Sequence, residues 1–221
     1  MRALGWGLAI AELVAYEGCS ERKGHAERSP SPASSNASTP PSLHEGDVVF
    51  HTSQSAQSKA IQLATHSRFS HVGLIHIDHG RTLVYEAVGP VKLTALDVWI
   101  ARGEGKHFVA MRLKDAEQKL NPENLRALQT VGASYRNRPY DFAFGWGDDR
   151  IYCSELVWKI YKQALGIELG SLQRLGDFDL THPVVREKMH QRYGDHIPLN
   201  EPVISPGTIA ASPLLEKVFE E

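Results

Sequence analysis

Two β-rich runs joined by a two-residue turn constrain this chain more than any other feature. Val72 to Ile77 and Thr82 to Val88 flank His79-Gly80. Gly accepts a positive φ freely and His tolerates one better than most side chains, so this pair predicts a tight hairpin. A two-residue turn sets the register: Asp78 opposite Arg81, Ile77 opposite Thr82, Gly73 opposite Glu86 and His71 opposite Val88. Side chains alternate between faces, so His71, Gly73, Ile75, Val84, Glu86 and Val88 share one. Only His71 and Glu86 are polar there. They are diagonal neighbours, about 7–8 Å apart at the backbone, a gap their side chains can bridge. Gly73 puts no side chain in the way. A turn one residue longer would send Glu86 to the opposite face.

The rest of the domain starts at Gly46. Asp47-Val48-Val49-Phe50 and Phe108 to Leu113 read as strands. Ser55 to Thr65 carries Ala56, Lys59, Ala60, Leu63 and Ala64 at helical spacing. Asn121-Pro122 supplies a helix cap and first-turn proline, and Leu125, Leu128 and Val131 continue the stripe. Pro139 to Arg150 is a loop of glycines and aromatics. Cys153 to Leu165 is an amphipathic helix with Leu156, Val157, Ile160, Tyr161 and Ala164 on its stripe and Gly166 ending it. Beyond Ser171 the chain reads as irregular, with helix starts at Ser205-Pro206 and Ser212-Pro213. Strands followed by helices around a central hairpin indicate an α+β fold, an antiparallel sheet packed on helices.

Composition narrows the function. Of 221 residues, 42% are hydrophobic and 23% charged, ordinary for a packed domain. Lys+Arg 24 against Asp+Glu 26 offers no charge basis for a nucleic-acid partner. Two cysteines, Cys19 and Cys153, exclude a disulfide framework. No apolar stretch approaches the roughly 20 residues that span a bilayer. Residues 1–19 have a charged start, an apolar run and Gly18-Cys19-Ser20, which looks like a lipoprotein export and lipidation site. Residues 20–45 form a linker: ten of the fourteen residues from Ser29 to Ser42 are Ser or Pro. The expectation is an exported, periplasmic or outer-membrane-anchored lipoprotein, with Cys19 lipidated and residues 46–221 folded.

Cys153 stands where chemistry would place a nucleophile. A thiol reacts as its thiolate, and the free N–H groups and partial positive charge of a helix start favour that anion. The same N–H groups can hold a tetrahedral oxyanion. Tyr152 and Ser154 flank it. Position alone also suits an inert buried cysteine packed beside Leu156 and Val157. A carboxylate such as Glu86 on one imidazole nitrogen would fix the tautomer of His71 and leave the other nitrogen for a thiol proton.

Together these segments resemble a family. Phe69-Ser70-His71-Val72-Gly73-Leu74 with Val84-Tyr85-Glu86-Ala87 is similar to the His and acid segments of the permuted NlpC-type cysteine hydrolases, the YiiX-like group. Ile151-Tyr152-Cys153-Ser154-Glu155-Leu156-Val157 resembles the nucleophile segment, and Gly46 to Phe50 the first strand. Pro139-Tyr140-Asp141 also fits. The resemblance implies a circularly permuted papain-like fold in which the His strand precedes the Cys helix. It implies Cys153 as nucleophile, His71 as base, Glu86 as orienting residue, a thioester intermediate and no cofactor or metal. Its implied substrates are cell-wall peptides, or lipid amides and esters as in the related lecithin retinol acyltransferase group. Tyr152 and Trp146 are candidate substrate-binding residues, since the aromatic loop Phe142 to Trp146 can line an acyl pocket or simply pack. Two other readings remain open. One is a non-catalytic envelope-binding domain that keeps the fold. The other is a His-based metal module, but His76 points away from His71 by parity, and no HExxH or paired CxxC is present.

Overall fold

The computed structural model describes residues 43–221. The segment 1–19 with Cys19, and most of the 20–45 linker, lie outside the described residues. The elements run β1 (Val48–His51), α1 (Ser58–Thr65), β2 (His71–Asp78), β3 (Arg81–Ala87), β4 (Val91–Ala95), α2 (Leu96–Ile100), β5 (Val109–Leu113) and α3 (Ala116–Lys119). Then come α4 (Pro122–Ser134), α5 (Cys153–Leu165), β6 (Gln173–Arg174), α6 (Pro183–Tyr193), β7 (Pro202–Val203), α7 (Pro206–Ala210) and β8 (Leu215–Glu220). The larger sheet has six antiparallel strands in the order β4-β3-β2-β1-β5-β8. It is an α+β architecture with an antiparallel sheet packed on helices.

The hairpin closes as its turn chemistry requires. His79 and Gly80 both take positive φ, 48° and 77°, matching the twist of the flanking strands. The register runs from Asp78 opposite Arg81 to Leu74 opposite Tyr85. The ladder ends at Leu74, one position before Gly73 and Glu86, and its register is the one the two-residue turn requires. Gly73 is needed for a steric reason. A Cβ there would come within 2.3 Å of a Val84 γ-carbon and 3.0 Å of the Tyr85 carbonyl, with Trp99 Nε1 at 3.5 Å.

The sheet buries both faces. Val48, Phe50, Val72, Leu74 and Tyr85 join Leu156, Val157, Ile160 and Tyr161 of α5 in one cluster. Val49, Ile75, Val84 and Ala110 pack with Trp99 of α2 on the other face. Tyr161 Oη also donates to the Gly46 carbonyl, tying α5 to the chain just before β1. The α5 helix keeps the bounds its apolar stripe predicts, and Gly166 ends it at φ 70°. Asn121 caps α4 by accepting from the backbone N–H groups of Glu123 and Asn124.

Part of the fold departs from the sequence expectation. Ser212-Pro213 opens no helix; it leads into the edge strand β8. Half of the β8 sequence, Leu-Glu-Lys-Val-Phe-Glu, is charged, as edge strands tend to be, so it lacks a clear strand signature. The irregular tail also contains α6. Only Val185 and Met189 of that helix are buried, too few apolar positions for a clear stripe. They pack with Ala60, Leu175 and Val203 into a third cluster that joins α6 to α1. The short β4 and α2 were likewise not evident.

Candidate active site

His71 opens β2, Glu86 lies near the end of β3, and Cys153 is the first residue of α5. The fold brings the three together. Glu86 Oε2 lies 2.8 Å from His71 Nε2. The other carboxylate oxygen accepts from Thr94 Oγ1 at 2.5 Å and from Arg102. Burial alone would raise the carboxyl pKa. His71, Thr94 and Arg102 outweigh it and pull Glu86 down to about 2. A fully buried charge is tolerable only when it is compensated in this way.

The Cys153 side chain lies close enough to His71 to act on the protonation of its ring. With Nε2 turned to Glu86, Nδ1 is the ring nitrogen left for the thiol. Burial favours the neutral imidazole, but the bonds to Cys153 and Glu86 prevail and raise His71 to about 9. The arrangement therefore favours imidazolium beside sulfur. Cys153 is nearly buried, at 3% exposure.

The first turn of α5 is anchored from the far side. Ser154 Oγ donates to the Ile204 carbonyl at 2.8 Å, and the Ile204 N–H donates to Tyr152 Oη at 3.1 Å. The Tyr152 N–H donates to Glu155 Oε2 at 3.4 Å. Glu155 is buried, which pushes its pKa up to about 7 against the pull of Lys159, whose Nζ lies 2.8 Å from Oε1. The opening N–H groups of a helix have no intrahelical acceptor, so the first turn of α5, where Cys153 stands, offers donors of the kind that can hold an oxyanion.

Sequence reasoning missed the surroundings of the pair. Thr94 and Arg102 reach Glu86 from β4 and from the segment after α2. His51 pairs opposite His71 across β1 and β2. Its ring centroid lies 5.1 Å from that of His71 and 4.2 Å from that of Trp99. Neither His51 nitrogen has a side-chain or backbone partner at hydrogen-bond geometry. Burial, then the charge of His71, lowers its pKa to about 3, so it packs as a neutral ring. These neighbours depend on strand pairings that local patterns do not specify. His76 turns to Glu45 Oε1 at 3.0 Å, away from the site.

Two depressions touch these side chains, one reaching Cys153 and the other His71. The first has about 680 Å³ of empty space including its mouth, touches Cys153, Tyr152 and Ser154, and is walled by Ala60, Ala64, Leu175, Val185, Met189 and Val203. The second is a groove over His71, walled by Gln57, Ser70, Tyr140 and Phe142. Tyr152 lines the first depression, and so does Phe144, whose ring meets the Tyr152 ring edge-on at 5.1 Å. Trp146 packs elsewhere: its ring lies 5.3 Å from that of Trp158, with Lys159 Nζ 5.0 Å from its centroid. Of the aromatic loop, Phe144 rather than Trp146 lines the depression that touches Cys153.

Comparison with known proteins shows the family. The chain is 48% identical over 176 residues to the uncharacterized protein YiiX of Escherichia coli K12, covering 80% of this chain and 86% of that protein. Among solved structures it is similar to one described as metalloprotein yiiX from Escherichia coli O157:H7, with a TM-score of 0.77 and 47% identity, over 80% of this chain and 97% of that one. Residues 42–219 match the family described as permuted papain-like amidase enzymes, YaeF/YiiX, C92 family. With a His strand preceding a Cys helix on an antiparallel sheet, the chain belongs to that family of permuted papain-like amidases.

Proposed function

We propose that the protein is a thiol amidase that cleaves the amide, or ester, of an apolar acyl chain through a thioester on Cys153. Cys153 has passed its proton to His71 before attack, giving the sulfur–imidazolium pair that the raised His71 pKa favours. The sulfur attacks the substrate carbonyl, and the helix N–H groups take the developing oxyanion. On collapse, His71 returns the proton to the leaving nitrogen or oxygen and the acyl group stays on sulfur. Water, or another acceptor, then releases it with His71 as base. Glu86 holds the ring and balances its charge throughout.

The observation that carries this reading is the apolar depression opening beside the sulfur. Its lining suits a hydrocarbon chain and offers few partners to the polar backbone of a cell-wall peptide. That favours a lipid amide over a cell-wall peptide. A lipidated Cys19 on a Ser/Pro tether would hold such an enzyme at a membrane where those substrates reside.

A resident metal does not fit this site. Among the described residues no group of three or more His, Cys, Asp or Glu side chains is placed to hold one. One nitrogen of His71 is already engaged by Glu86. No step is routed through a metal.

The test is incubation of the chain with N-lauroyl amides and, separately, cell-wall stem peptides. Release of laurate and a mass increment of one lauroyl group on Cys153 are expected. Turnover that persists in Cys153→Ala, or turnover of stem peptides alone, would overturn the reading.

A further inference from the structure

The two depressions divide the substrate between them, because the chemistry assigns a side to each. Sulfur bonds to the acyl carbon, so the cavity that touches Cys153 but not His71 receives the acyl chain. His71 protonates the leaving group, so the groove that touches His71 but not Cys153 receives that group. Lys188 and Arg192, one turn apart on α6, line both.

The hydrogen bonds and ring contact of these two cations go to neutral groups. Lys188 Nζ donates to Gln191 Oε1 at 2.9 Å. Arg192 donates to Gln57 Oε1 at 2.7 Å, and its guanidinium carbon lies 4.5 Å above the Phe144 ring. The carboxylate that acts on Arg192, Asp141, spends its oxygens on the backbone N–H groups of Ala143 and Gly145, at 2.8 and 2.6 Å. Packing on Phe144 and bonding to Gln57 hold the Arg192 fork in place, which suits recognition of a carboxylate or phosphate.

We infer that Lys188 and Arg192 form an anion subsite on the leaving-group side, selecting acyl amides whose amine portion carries a carboxylate or phosphate a few bonds from the scissile bond. This rests on the amidase reading above and names the substrate class within it.

Binding tests it without turnover. The full chain carrying Cys153→Ser is titrated calorimetrically with N-lauroylglycine, N-lauroylethanolamine phosphate and neutral N-lauroylethanolamine, which share one acyl chain. At least one anionic ligand is expected to bind about tenfold tighter than the neutral one, the size of one charge-assisted hydrogen bond. The tighter of the two anions identifies the source, carboxylate or phosphate. Lys188→Gln and Arg192→Gln are each expected to bring the anionic-to-neutral ratio toward one. Lys188→Gln is the decisive variant, because Arg192→Gln also removes packing on Phe144. Equal affinities in the parent, or a ratio unmoved by Lys188→Gln, overturn the subsite. If the ratio behaves as expected but the wild-type chain cleaves no ligand, the amidase reading fails and the subsite stands. Failure of all three ligands to bind overturns both.

Discussion

Glu86 meets His71 on the nitrogen that the thiol does not use. The 2.8 Å contact is to Nε2, which leaves Nδ1 for Cys153, and it supplies the negative charge that lets the ring hold a proton beside the sulfur. Replacing the carboxylate by an amide keeps the shape and removes the charge. In Glu86→Gln the alkaline limb of kcat/KM, expected near pH 9 from the raised His71 value, should move down by about one unit or more. A pH–rate profile reads it. An unmoved limb would mean that Glu86 does not set the protonation of His71.

The same pair makes stability depend on pH at both ends. His71 is raised from 6.5 to about 9, so its contribution is complete below pH 6.5 and is lost as pH climbs through 9. Glu86 is lowered from 4.5 to about 2, so its contribution is complete above pH 4.5 and is lost as pH falls through 2. The pair contributes fully between about pH 4.5 and 6.5. Thermal melts of the wild type and of a His71→Ala, Glu86→Gln double variant should differ most in that window. Differences independent of pH would contradict the linkage.

Removal of either reacting group should end the chemistry without unfolding the chain. Cys153→Ala and His71→Ala are each expected to lower kcat by about 10³-fold or more. Labelling of Cys153 by an electrophilic acyl probe should be lost in His71→Ala. Full-rate labelling in that variant would show that the imidazole does not activate the sulfur.

Filling the apolar cavity should shorten the preferred acyl chain. Ala60 on α1 lines it and is nearly buried. Ala60→Phe is expected to lower kcat/KM for a lauroyl amide relative to a butyryl amide by about tenfold, equivalent to displacing about two methylenes. Competition between the two amides measures the ratio directly. An unchanged ratio would place the acyl chain somewhere else.

Gly73→Ala should destabilise the domain by about 1–3 kcal/mol, because the new methyl meets the Val84 γ-carbon and the Tyr85 carbonyl. Adding Val84→Ala removes the first obstacle and should recover part of the loss. Urea denaturation of the three variants forms a double-mutant cycle. Strict additivity would show that Gly73 is required for something other than room for Val84.

What the sequence determined by itself is local. A turn pair with the right φ tolerance set the β2–β3 register, and alternation then put His71 and Glu86 on one face. The period of the apolar residues set the bounds of α5 and left Cys153 at its start. Each follows from bonding within a few residues or across a short turn, so the pattern could be read from neighbours alone. The tertiary structure decided the rest. Thr94 and Arg102 reach Glu86, and His51 lies beside His71, only because β4, α2 and β1 assemble around the hairpin. The apolar wall beside the sulfur comes from α6, whose two buried side chains, Val185 and Met189, are too few to mark a stripe and find their partners on α1, more than a hundred residues earlier. Contacts at such sequence separations depend on the whole chain packing at once.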